Sequence, residues 1–139
     1  MNGTDRGSVT AFLAISVVGL LALAGLVVDG GAKVRAAQRA DRLAAEAGRT
    51  AGQQIDLPDA ISGAVVRVDP TAAQEAARAY LHRAGVEGTV KISADRRSLS
   101  IHVTTTQPTV FLSLIGLSSI SASGTAEVEL VHAVNGATS

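Results

Sequence analysis

Cysteine and tryptophan are absent from this chain of 139 residues, tyrosine occurs once and phenylalanine twice. Without Cys there is no disulfide framework and no Cys-containing zinc or iron–sulfur site, and the redox compartment leaves no mark on the sequence. The apolar residues, 47% of the chain with 25 Ala among them, are therefore small and aliphatic. Such side chains pack helices closely but build a thin core. Neither sign of charge is in excess: 12 Lys and Arg balance 12 Asp and Glu, with an isoelectric point near 6.8. The general attraction to polyanions is missing, so no nucleic-acid partner is expected. The length leaves room for one small domain.

What is present is one long uncharged run. Residues 8–28 read SVTAFLAISVVGLLALAGLVV, closed by Arg6 on one side and Asp29 on the other. At 1.5 Å rise per residue, roughly 20 helical residues cross the ~30 Å hydrocarbon core of a bilayer, so this run reads as a transmembrane helix. A second reading is a secretory signal, because Ala22-Leu23-Ala24 has the small-x-small pattern of a cleavage site. That alternative yields a secreted soluble binding domain released near Ala24. Against it, the apolar character continues through Leu26, Val27 and Val28. The basic flank after the run, Lys33, Arg35, Arg39 and Arg42 against Arg6 before it, votes for a cytoplasmic C-terminal part. Long domains translocate largely regardless of such charges, so charge alone leaves the topology open.

Helix formers continue beyond Asp29, and a membrane-proximal helix is expected over 29–54, with Gly30-Gly31 as the natural place for a hinge or break. Positions 11, 14, 18, 22, 25, 29, 32, 36, 40, 43, 47 and 51 form a stripe of mostly small residues at a spacing close to 3.6. Ala11, Ala14, Ala22, Gly25, Ala32, Ala36 and Ala40 on it are the candidate helix-packing face, suited to another helix or to a second copy of the chain. Residues 55–69 read as a loop with a short extended piece at 64–68. Asp69-Pro70 caps and starts a helix that ends at Gly85, with Ala73, Ala76, Ala77, Tyr80, Leu81 and Ala84 on its apolar face. From Gly88 the period becomes two: Val90 and Ile92, then a turn at 94–97, then Leu99, Ile101 and Val103 predict a β-hairpin. The apolar stretch Val110 to Leu117 reads as a short helix of a turn or two packing on the sheet, and a last strand is expected over 119–131, with Ala126, Val128 and Leu130 or Val131 facing inward. The fold class is α+β: a long N-terminal transmembrane helix continuing into a soluble helix, and a small antiparallel sheet of about three strands. The organisation is a tail or leader at 1–7, the membrane helix at 8–28, the proximal helix at 29–54 and a small α+β domain at 55–139.

Candidate chemistry is sparse. His82, His102 and His132 lie 20 and 30 residues apart with no metal-ligand spacing. His102 alternates with apolar strand residues and should face solvent. No Gly-x-Ser-x-Gly elbow and no phosphate-binding glycine motif occurs. No catalytic residue, cofactor or metal is expected, and the chain does not read as an enzyme. Arg35, Arg39 and Arg42 on one helix face suit either lipid phosphates or simple solvation beside Asp41 and Glu46.

Several short motifs together resemble a known family. Arg6-Gly7-Ser8-Val9 leading into the apolar helix, Val28-Asp29-Gly30-Gly31, Gln38-Arg39-Ala40-Asp41 and the Ala-rich 43–51 are similar to TadE/TadG-like proteins of Flp (Tad) pilus assembly. The similarity continues through Pro108-Thr109-Val110-Phe111-Leu112, Ile115-Gly116-Leu117 and the strand 121–126. The resemblance implies a pilin-like minor pilin or accessory protein, anchored in the cell membrane by a single pass with its C-terminal domain outside the cytoplasm. Other pilin-like or pilus-assembly subunits would be its partners. It also implies prepilin-type processing between Gly7 and Ser8. TadE-type members carry a Glu at the fifth position after that cleavage, where this sequence has Phe12. The assembly contact that such a carboxylate makes is therefore missing, and a permanently anchored TadG-like role is equally compatible.

Overall fold

The structure, a computed structural model, describes residues 4–54 and 66–132. Most of the loop expected at 55–69 lies outside the described residues, as do the side chain of His132 and everything after it. Two helices, α1 (Thr4–Gly52) and α2 (Pro70–Arg83), accompany five strands: β1 (Val66–Arg67), β2 (Glu87–Ile92), β3 (Ser98–Pro108), β4 (Ser119–Glu129) and β5 (Val131–His132). The fold is α+β, with an antiparallel three-stranded sheet in the order β2-β3-β4 and a small antiparallel β1-β5 pair. The contacts within the chain define two compact units, residues 1–35 with 107–120, and residues 36–106 with 121–139.

The second unit holds the core. Its α1 residues Ala40, Ala44, Ala47 and Ala51 are fully buried and cluster with Leu99, Ile101, Val103 and Leu130. Ala is what allows this: a side chain of one methyl lets a sheet approach a helix closely. The approach is closest at Gly124 of β4, where a Cβ would run into the α1 backbone at Ala40 and Asp41. The buried Thr105 Oγ1 of β3 donates to the Ala36 carbonyl at 2.8 Å, tying the strand to the helix. The hairpin forms as the period-two pattern predicts, with Val90 opposite Ile101 and Ile92 opposite Leu99. Its turn is fixed by Asp95, which accepts from Ser93 Oγ at 2.5 Å and from the Arg97 N–H at 3.1 Å. The Ser93 hydroxyl, chiefly, holds the Asp95 carboxyl below its usual range. That hydroxyl also accepts from the Ser98 N–H, while Arg96 takes a left-handed φ of 59°.

Helix α2 begins and ends where its sequence signals say. Asp69 Oδ1 accepts from the Thr71 and Ala72 N–H groups at 2.8 and 3.1 Å, Pro70 needs no donor at the first position, and Gly85 takes the left-handed φ of 67°. Its apolar face docks through Ala73, Ala77 and Leu81. Gly88 of β2 leaves room for Leu81, whose Cδ1 a Cβ there would meet at 2.5 Å.

Two local expectations differ from the structure. Gly30-Gly31 does not break α1, which stays helical through both residues. The cost of about 1 kcal/mol per Gly falls beside Asp29, whose side chain accepts from the N–H groups of Val110, Phe111 and Leu112. The apolar stretch 110–117 contributes one short 3-10 turn, Leu112–Ile115. Within its own unit Phe111 lies against Gly25 of α1, and Leu114 and Ile115 are 82% and 73% exposed.

Candidate functional site

The first unit is built around one carboxylate. Asp29 follows the apolar run directly and is 2% exposed. Its Oδ1 accepts from the Val110 N–H at 2.9 Å, and its Oδ2 accepts from the Phe111 and Leu112 N–H groups at 3.1 and 2.7 Å. Three successive peptide N–H groups thus converge on one anion, a concave arrangement that favours negative charge. The Val110 N–H contributes most, burial opposes it, and the Leu112 and Phe111 N–H groups add to it, so the carboxyl is held below its usual range. Engaged this way, the carboxylate ties α1 to the start of the loop that follows β3.

One helical turn before Asp29, Gly25 accepts the Phe111 ring. A Cβ at Gly25 would stand 2.8 Å from both Phe111 Cβ and Cγ, so only glycine fits. The segment between is closed on itself by the Thr109 N–H, which donates to the Ser118 carbonyl at 3.1 Å, and by Thr109 Oγ1, which donates to the Leu117 carbonyl. Gly116, at a left-handed φ of 92°, lets the chain turn back. Between this loop and α1 runs an apolar groove of about 710 Å³, walled by Val18, Ala22 and Leu26 of the helix and by Phe111, Leu114 and Ile115 of the loop.

The residues singled out in the sequence divide along α1. Ala11, Ala14 and Ala22 are exposed, Ala32 is half-buried, and Gly25, Ala36 and Ala40 are buried by the chain's own loop and sheet. The exposed part of the stripe is thus its first half. Gly7 and Ser8 are both helical and exposed. His82 and His102 are exposed. Among the described residues no three His, Asp or Glu side chains are grouped to hold a metal ion. The outer face of the sheet carries an open depression of about 420 Å³ whose lining includes Thr89, Lys91, Ser100, His102, Ala126 and Glu127. Arg35, Arg39 and Arg42 are exposed, and Glu46 pairs with Arg49 at 2.8 Å.

The comparison with known families falls on the same helix. The family model for Tad, described as Flp pilus-assembly TadE/G-like, matches residues 7–54. Those residues are a Tad-like segment. It holds the apolar run, Gly25 and Asp29, and ends two residues beyond the end of α1. The likeness at 108–117 and 121–126 lies beyond the matched residues, so the loop that Asp29 binds is outside the Tad-like segment. No curated protein and no solved structure matches the chain. The Tad match supports a role related to Flp/Tad pilus assembly, and the family is one of assembly proteins. The apolar part of the Tad-like segment is long enough to cross a membrane and is almost unburied by its own chain.

Sequence reasoning placed Gly25 on a stripe and Asp29 at a flank without linking either to the loop. The link has no side-chain pattern to reveal it, because the partners of Asp29 are backbone amides 81 to 83 residues away.

Proposed function

We propose that the chain is a single-pass membrane protein of a Flp/Tad-type system, a minor pilin or a pilus-assembly accessory protein, that acts through helix packing and protein–protein contacts. The observation that carries this is the exposure of the apolar run within a Tad-like segment. Twelve large apolar side chains between Val9 and Val28 are left exposed by the chain itself, Phe12 at 72%. At roughly 1.5–3 kcal/mol for each such side chain removed from water, lipid or partner helices would stabilise them by on the order of 20 kcal/mol. Soluble domains rarely leave an apolar surface of that size in water.

In this reading Ala11, Ala14 and Ala22 face neighbouring helices of pilus subunits or of a second copy, since small side chains allow close approach in lipid. The α+β part stands outside the cytoplasm. Gly7–Ser8 is the site of prepilin-type processing, and with Phe12 in place of a carboxylate the mature helix joins its neighbours without a charged pair. Release after Ala24 is disfavoured because it would remove Val18 and Ala22, which wall the groove beside the loop.

The test is a photo-crosslinking residue at Ala14 in living cells, with adducts identified by mass. The reading expects adducts with Tad pilus-assembly subunits or with a second copy. Adducts with neither would overturn it.

A further inference from the structure

We propose that the loop 109–118 is itself inserted in the membrane, its apolar tip lying among lipid acyl chains beside α1. This rests on the reading of α1 as a membrane anchor and goes beyond it, since an anchor helix needs no accompanying loop.

The placement follows from the contact with α1. Phe111 sits on Gly25, four residues before Asp29 and so about 6 Å of helix rise below it. The groove between loop and helix extends to Val18, about 16 Å of rise below Asp29. A helix that crosses the bilayer over 8–28 carries whatever is bound at those levels into the hydrocarbon with it. The loop is suited to that place in composition. No Asp, Glu, Lys or Arg occurs between Arg97 and Glu127, and Val110, Leu114, Ile115 and Leu117 are all exposed. In water those side chains would be a liability.

Backbone hydrogen bonding gives the second, independent argument. Non-helical chain at membrane depth is tolerated only where its peptide groups are satisfied internally. Asp29 takes the N–H groups of Val110, Phe111 and Leu112. The Thr109, Leu114, Gly116 and Leu117 N–H groups donate to the carbonyls of Ser118, Phe111, Ser113 and Leu112. The hydroxyl of Ser113 donates to the Val110 carbonyl at 2.6 Å. Seven amides of a ten-residue loop, and the hydroxyls of Thr109 and Ser113 among its three polar side chains, are thus paired without water. The occupant that fits an uncharged, internally paired, outwardly apolar surface continuous with a spanning helix is the acyl region of the same leaflet.

The chain has no Cys, so single-Cys variants can carry an environment-sensitive fluorophore. The full chain is reconstituted into phosphatidylcholine vesicles, with and without lipids brominated at defined depths, and labelled at Leu114→Cys, Ile115→Cys, Leu20→Cys or Thr89→Cys. The proposal expects blue-shifted emission at both loop positions, quenched at least twofold by brominated lipid and independent of the protein-to-lipid ratio, with quenching at Leu20→Cys and none at Thr89→Cys. Loop probes that stay aqueous while Leu20→Cys is quenched overturn the loop's insertion and leave the anchor standing. If Leu20→Cys is also aqueous, the anchor reading itself falls. A loop signal that disappears on dilution into excess lipid assigns the surface to a second copy and overturns the lipid assignment.

Discussion

Asp29 joins distant parts of the first unit, because one carboxylate satisfies three backbone donors at the start of the loop. In Asp29→Asn one oxygen becomes an NH2 group that cannot accept, which leaves at least one of the three amides unpaired in an apolar setting. The Val110–Leu112 amides should then exchange with solvent at least about tenfold faster than in the parent chain, as read by hydrogen exchange in detergent micelles. Unchanged exchange would show that the anchor does not hold the loop. The pH dependence has a definite sign. The bound carboxyl titrates below its ordinary value of 3.8, so the anchor is intact at neutral pH and is lost only as pH falls beneath that value. The same amides should stay protected down to about pH 4 and lose protection together below it. Gly124 is the other singular residue. Gly124→Ala puts a methyl into the α1 backbone and should destabilise the second unit by about 2 kcal/mol or more, measured by denaturant unfolding.

At the scale of elements, strand β3 and helix α1 depend on each other. Ile101→Ala empties part of the only sizeable side-chain cluster among the described residues and should cost about 3 kcal/mol. Thr105→Val removes the hydroxyl that reaches the Ala36 carbonyl and should cost about 1 kcal/mol, since that carbonyl also accepts within the helix. Elements whose boundaries are written in local chemistry were legible in the sequence. Asp69-Pro70 and Gly85 bracket α2, and Val90, Ile92, Leu99, Ile101 and Val103 mark the hairpin by their period. What the sequence did not reveal is what an element packs against. The run Val110 to Leu117 is apolar enough to imply burial, yet nothing in it distinguishes the sheet from the apolar half of α1 as its neighbour. Gly124 looks like any strand glycine until the helix backbone is seen beside it. Gly30-Gly31 read as a hinge or break because propensity is local, yet α1 stays helical through both residues.

For the whole molecule, the poverty in aromatics and charge takes on a physical meaning. A thin core of Ala, Leu, Ile and Val suffices for the second unit. The large apolar side chains are concentrated instead on α1 and the loop, where the chain leaves them uncovered. Placing the α+β part outside the cytoplasm predicts that Ser100→Cys, on an exposed strand position, reacts with a membrane-impermeant maleimide in intact cells, and protection would reverse the topology. The central claim, that α1 is kept as a membrane anchor, is tested most directly by the mass of the mature amino terminus in protein recovered from cell membranes. A terminus at Met1 or Ser8 is the predicted result, with Ser8 marking prepilin-type processing. A terminus at Gly25 would contradict the account, because most of the apolar run, with Val18 and Ala22 of the groove, would have been removed.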